Sequence, residues 1–338
     1  MTRAVVILGA GSSADFGVPT LSTMFSDRYV VNYLKHKLAL FNTLDELFWK
    51  PRGHTLATCD QSLNVEQMLT IIKDWEREKS IPDAQKPKNL SEFRRGLYVL
   101  IQKAVFEGKS SRPAHLNALI DICHKTFEHT TWASFNWDCI FESSFWYRIP
   151  YGLGWGTRYN PQLAIKVENW RSGTNKHLFL KLHGGINWWL INDLVTYLPF
   201  TAGGPLQAEW EAYDNDPKFA DRPVILEPSF YKYTDAMYNQ LAPQWDHFFQ
   251  NLIKADCIIV LGYSLPEMDI NARSRIMTAF QVNNTGRWLV IDPSEKVCNL
   301  YKRLLGCDHV QILEKTLASF NTDILEQLKT AFPNVTFP

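Results

Sequence analysis

Five places in this 338-residue chain set glycine, hydroxyl, amide, carboxyl or imidazole groups directly after a short apolar run. The first run, Ala4–Leu8, ends in Gly9-Ala10-Gly11-Ser12-Ser13-Ala14. Glycines at such a point let the backbone approach a pyrophosphate, and a helix opening there offers its first N–H groups to it. The match is G-x-G-x-x-A, which a plain strand-to-helix turn also satisfies. Gly17-Val18-Pro19 then interrupts the helix early, and no second strand with an acidic end follows at dehydrogenase spacing. The second place is Ser134-Phe135-Asn136-Trp137-Asp138. Asn136 and Asp138 lie where open α/β sheets take ligands, and either side chain would equally serve as a helix N-cap. Third is Lys181-Leu182-His183-Gly184-Gly185, where an imidazole of ordinary pKa, about 6.5, can exchange a proton near neutrality or be held by a turn carbonyl. The fourth and fifth are Gly262-Tyr263-Ser264-Leu265-Pro266 and Ile291-Asp292-Pro293. Each reads as a turn, and Asp292 also as an acid that accepts two ribose hydroxyls.

The elements that must carry these groups follow from the apolar pattern. Ala4–Leu8 is a continuous run, as in a strand buried on both faces of a parallel sheet. Similar runs recur at Thr131–Phe135, His177–Leu182, Pro223–Leu226, Cys257–Leu261 and Trp288–Ile291. Helical patterns are expected over Pro243–Ala255, Ile270–Val282, Glu295–Leu305 and Asn321–Phe332. A hairpin is expected near Ile186–Leu198. Strands alternating with helices give an α/β doubly wound sheet, and its strand ends would bring the five groups to one edge. Between the first two strands the pattern is helical, over Leu21–Leu40, Val65–Glu78, Asn89–Glu107 and Pro113–Phe127. That is too long for one crossover, so residues 21–127 read as an inserted helical subdomain, leaving 1–20 and 128–338 as the sheet domain.

Composition narrows the function classes. The 35 basic residues balance 35 acidic ones, which removes any bulk electrostatic case for a nucleic-acid or membrane partner. No window approaches the roughly 20 apolar residues that span a bilayer, and the N-terminal run lacks the form of a signal peptide, so a cytoplasmic protein is expected. The six cysteines form no C-x-x-C pair, so no structural zinc site is expected.

The order of these motifs resembles the sirtuin (SIR2-like) family. That family has a G-A-G-x-S turn with a later G-x-P, an Asn/Asp pair after a strand, a His-Gly, an R-P strand opening, a G-T/Y-S-L turn and a ribose-binding turn. This chain offers Gly9 to Ser13 with Gly17 and Pro19, then Asn136 and Asp138, then His183-Gly184. Arg222-Pro223, Gly262-Tyr263-Ser264-Leu265-Pro266 and Asp292-Pro293 complete the order, and the helical insertion lies outside it. Two departures stand out. The four-cysteine zinc ribbon of protein-deacylating sirtuins is missing, and Thr20-Leu21-Ser22 replaces their D-F-R. The pattern looks like the zinc-free branch, which includes bacterial NAD-depleting effectors of anti-phage defence.

The resemblance implies a Rossmann-like fold, NAD+ as substrate, no metal, and hydrolysis of the nicotinamide–ribose bond to nicotinamide and ADP-ribose. Asn136 and His183 would be catalytic. Gly9, Ala10, Gly11, Ser12, Ser13, Gly17, Pro19, Asp138, Gly262, Tyr263, Ser264 and Asp292 would bind the dinucleotide. A regulated homo-oligomer, switched by a partner ATPase or a phage-derived activator, is the implied setting. The alternatives are an NAD-dependent deacylase or ADP-ribosyltransferase, and a non-catalytic NAD or ADP-ribose sensor.

Overall fold

The computed structural model describes residues 2–15, 18, 20, 46, 50–53, 67, 70–71, 74–75, 77–80, 114–138, 140–141, 177–191, 194–197, 222–226, 236–306, 310–320 and 323–338. Its core is a six-stranded parallel sheet. The strands in chain order are β1 (Arg3–Leu8), β2 (His129–Ser134), β3 (His177–Lys181), β7 (Cys257–Leu261), β8 (Arg287–Ile291) and β9 (Val310–Leu313). They lie side by side as β3-β2-β1-β7-β8-β9. This is the doubly wound, Rossmann-like arrangement expected from the sequence, with the direction of winding reversing between β1 and β7.

The strands form where they do because both faces are covered. In β7 every residue of CIIVL is buried, and in β1 all but the first are. Each fully buried Val, Leu or Ile contributes about 1.5–3 kcal/mol, so the continuous apolar run is what this environment selects. Val5, Ile7, Ile258, Val260, Trp288 and Val290 turn one face toward α3 (Ala236–Leu252), α4 (Ile270–Val282) and α5 (Glu295–Leu305). Packed beneath them are Leu241, Trp245, Phe248 and Leu252, then Ile276, then Tyr301 and Leu305. Of the other helices, α2 covers Ala114–Thr126, and the shorter ones are α1 (Gly11–Ala14), α6 (Leu317–Phe320) and α7 (Ile324–Ala331). α7 packs against β8, and Phe127, just after α2, meets Phe337 edge to face at 6.1 Å.

A second sheet of three antiparallel strands, β5-β4-β6, is built from β4 (Gly184–Ile191), β5 (Leu194–Tyr197) and β6 (Arg222–Ile225). β4 and β5 are the expected hairpin. Two residues separate the end of β3 from the start of β4, so Leu182-His183 is the joint between the two sheets. Gly184 turns that joint with φ +71°, a conformation that disfavours a side chain.

Three expectations need correction. α3 starts at Ala236 rather than Pro243, and Pro243 lies within it. A proline inside a helix removes a hydrogen bond, yet the buried stripe Leu241, Trp245, Phe248, Leu252 holds the helix through it. The C-terminal helix is shorter than expected, α7 being preceded by the separate turn α6. β9 has no counterpart in the sequence reading, because its four residues are all only half-buried and Gln311 breaks the run. Most of 21–127 lies outside the described residues, and from that stretch α2 leads directly into β2.

Candidate functional site

The sequence-derived groups sit at the carboxyl ends of the parallel strands, on both sides of the point where the winding reverses. The turn after β1 and the turn after β7 touch through their backbones. Gly9 N–H donates to Leu261 O at 3.0 Å, and Gly11 N–H donates to Gly262 O at 2.9 Å. A Cβ on Gly9 would lie 2.4 Å from Tyr263 Cα, and one on Gly262 2.4 Å from both Gly11 C and Ser12 N. Gly262 also has φ +55°. These glycines are therefore required by the contact between the two turns.

The first N–H groups of α1 are not free for a ligand, contrary to the sequence expectation. Gly11, Ser12 and Ser13 donate to Gly262 O, Gly9 O and Ala10 O. Ala10 on the β1 turn and Ser264 on the β7 turn are exposed, and Ser12 and Ser13 are buried. Val18 is buried, whereas Gly17 and Pro19 lie outside the described residues.

Asn136 follows β2 and reaches back over the β1 turn. Its Nδ2 donates to Gly9 O at 2.9 Å, Ser13 Oγ at 3.0 Å and Ser12 Oγ at 3.1 Å. The Gly9 carbonyl can only accept, so Nδ2 must face it, which fixes the amide's orientation. Oδ1 is then left buried, with no hydrogen-bond partner among the described residues. Buried acceptors are rarely left so.

Asp138 takes the capping role that was one of its two readings. Its Oδ1 accepts the Ile140 N–H at 3.0 Å. The wholly buried Lys181 donates from Nζ to the Asp138 carbonyl, and the Lys181 N–H is held by Gln244 Oε1 at 2.7 Å.

His183, in the joint between the sheets, is fixed from several sides. Its carbonyl accepts the Leu226 N–H at 2.8 Å, tying it to the end of β6. Phe135 meets the imidazole edge-on with centroids 5.1 Å apart, and Trp245 lies at 6.0 Å. Phe135 in turn stacks on Tyr263 at 4.1 Å, so the residue before Asn136 packs between the β7 turn and His183.

His183 Nε2 lies 3.1 Å from Asp269 Oδ2, and the Tyr263 hydroxyl donates to the same oxygen at 2.8 Å. Asp269 is wholly buried at the start of α4. Sequence reasoning missed it, because an Asp before a helical pattern reads as a cap. The signal within reach was its place just after Gly262-Tyr263-Ser264-Leu265-Pro266.

Asp292, at the end of β8, accepts the Ser294 N–H at 2.9 Å. Burial holds its carboxyl above the usual range, opposed by that hydrogen bond. Among the described residues no group of three or more His, Cys, Asp or Glu is placed to hold a metal ion, and no helix is long and apolar enough to cross a membrane.

No family model matches the sequence, and no curated protein matches it. Several solved structures are similar in shape. One, of Sir2 with a p53 peptide and NAD+, is 13% identical, with 96% of this chain and 92% of that chain covered and a TM-score of 0.48. A Sir2 complex with an inhibitor, 2'-O-acetyl-ADP-ribose and a deacetylated p53 peptide is 12% identical, covering 96% and 93%, at 0.47. A third, Sir2Tm bound to a propionylated peptide, is 10% identical, covering 96% and 92%, at 0.43. The fold is established independently of these likenesses, by the strand order β3-β2-β1-β7-β8-β9 and its all-parallel register.

Proposed function

We propose that the chain hydrolyses NAD+ at the nicotinamide–ribose bond. The observation that carries this reading is Asn136, whose amide is clamped to the β1 turn while its buried Oδ1, beside the switch point of the sheet, has no hydrogen-bond partner among the described residues. A ribose hydroxyl or a water is the donor such an oxygen accepts. The motif order shared with SIR2-like proteins supports the same substrate.

Cleavage releases neutral nicotinamide from a cationic pyridinium, so no proton donor to the leaving group is needed. The transition state is oxocarbenium-like, as in glycoside hydrolysis. Orientation and electrostatic support are then what the site must supply. In this reading Asn136 holds the nicotinamide ribose and the attacking water. Water adds to the ribose anomeric carbon, and His183 takes its proton. Ala10 and Ser264, exposed on the two touching turns, face the phosphates, with Gly9 to Ser13 shaping the floor. Gly17 and Pro19 belong to the same turn region. Asp292 accepts the adenosine ribose hydroxyls, and Asp138 steadies the Asn136 loop. The products are nicotinamide, ADP-ribose and a proton. Unchecked, such an activity would drain the cell, so the reading includes control through oligomerisation or an activating partner, as in a defence effector.

The test is to incubate the purified chain with NAD+, with and without an acyl-lysine peptide, and to quantify nicotinamide, ADP-ribose and acylated ADP-ribose. Hydrolysis predicts ADP-ribose at the same rate in both. A strict need for the peptide, with acyl transfer to ADP-ribose, would replace this reading with a deacylase.

A further inference from the structure

The structure assigns a positioning role to Asp269: it orients His183 and favours the protonated imidazole that forms when the base acts. The inference rests on His183 being the base, as proposed above.

Asp269 occupies the N-cap position of α4, where an aspartate ordinarily accepts a helix N–H. Its side chain makes no such bond. The carboxylate is turned instead into the interior, where Oδ2 lies 3.1 Å from His183 Nε2 and accepts the Tyr263 hydroxyl at 2.8 Å. Local preference is set aside at a wholly buried acid, and such departures mark sites under a second demand. A buried carboxylate at ion-pair distance from an imidazole favours its cationic form by charge, and that attraction draws the ring toward it.

The surroundings fit this role. Phe135, just after β2, and Trp245 from α3 face the ring with uncharged aromatic surfaces. Arg273 on α4 directs Nε to Leu265 O at 3.0 Å, and Lys181 on β3 directs Nζ to the Asp138 carbonyl. Tyr263 holds the same carboxylate oxygen that faces His183. Its own ring stacks on Phe135, so the acid, the base and the Asn136 loop are fixed as one packed unit.

Two measurements decide the matter. In turnover, Asp269→Asn should lower kcat about a hundredfold. NAD+ affinity should stay within about threefold and the melting temperature close to wild type. Added to His183→Ala, it should cause less than about a twofold further loss, because both changes remove the same function. Equal losses of affinity and turnover, or additive losses in the double variant, would show a merely structural residue and overturn the assignment.

The second measurement needs no substrate. Histidine-labelled protein is titrated by NMR, with the His183 signal identified by its absence in His183→Ala. The wild-type midpoint should lie above the ordinary value of about 6.5, and Asp269→Asn should bring it down by about one unit. A wild-type midpoint at or below the ordinary value would overturn the coupling, even if the Asn variant does not fold. Absence of NAD+ cleavage by wild type would instead overturn the hydrolase reading, and the titration alone would then decide whether Asp269 acts on His183.

Discussion

Replacing Asn136 with Ala removes a buried carboxamide whose Nδ2 reaches Gly9 O, Ser12 Oγ and Ser13 Oγ within 2.9–3.1 Å. Two N–H hydrogens serve those three acceptors, so at most two full hydrogen bonds are lost. Ser12 Oγ keeps its own donation to Gly9 O at 2.7 Å, and Gly9 O also retains the Ser12 N–H, so neither is orphaned. At about 0.5–1.5 kcal/mol net per hydrogen bond, the loss is about 1–3 kcal/mol. Oδ1, which has no hydrogen-bond partner among the described residues, offsets part of this, because its burial carries a desolvation penalty that the alanine lacks. A net destabilisation near 1–2 kcal/mol follows, which lowers Tm by about 2–8 °C in a domain of this size. Turnover of NAD+ should fall far more, by about 10²–10³, because the lost group acts on the transition state. Calorimetry and nicotinamide release, measured on the same preparation, separate the two effects. An unchanged Tm, or a turnover within about threefold of wild type, would refute the clamp-and-orient role.

Other substitutions test other parts of the site. Asp292→Asn keeps an oxygen for the Ser294 N–H but removes a charge that burial disfavours. A carboxyl whose folded pKa is raised loses stability as pH rises through the unfolded and then the folded value, so this variant should melt higher than wild type at pH 7 and no higher well below pH 4. Its NAD+ affinity should fall about 10–100-fold through the loss of charge-assisted bonds to the ribose, as calorimetric titration would show. Gly262→Ala forces a Cβ to 2.4 Å from Gly11 C and Ser12 N at φ +55°, so unfolding curves should show a loss above about 2 kcal/mol. Gly306→Ala meets nothing within 4 Å, but φ +76° with ψ 175° is a backbone conformation kept for glycine, so it should cost about 1–3 kcal/mol from strain alone. Cys123, Cys257 and Cys298 are buried free thiols, and burial pushes all three up, so mass mapping of alkylation should find them unreactive until the protein unfolds.

The parallel strands were legible because burial on both faces demands an unbroken apolar run, and β7 needs no change of boundary. β9 was not, since a half-buried edge strand obeys no such demand. The placement of Asn136 and His183 at strand ends followed from the same runs, as local facts of sequence. What joins them did not. Gly9 and Gly262 are glycines because two turns far apart in the chain touch backbone to backbone. That contact has the same one-dimensional signature as a pyrophosphate loop. Asp269 reads as a helix cap until its carboxylate is seen to turn toward His183, a residue from a different sheet joint. Asp138 shows the reverse case, in which the ordinary capping reading describes its observed bond.

The most direct test of the account is whether the purified wild-type chain consumes NAD+ and releases nicotinamide and ADP-ribose in equal amounts, while His183→Ala at equal NAD+ occupancy does not. Equimolar products from the wild type, with a loss of at least about a hundredfold in the variant, are what the account predicts. NAD+ bound but left intact by the wild type, or cleaved equally well without the imidazole, would contradict it.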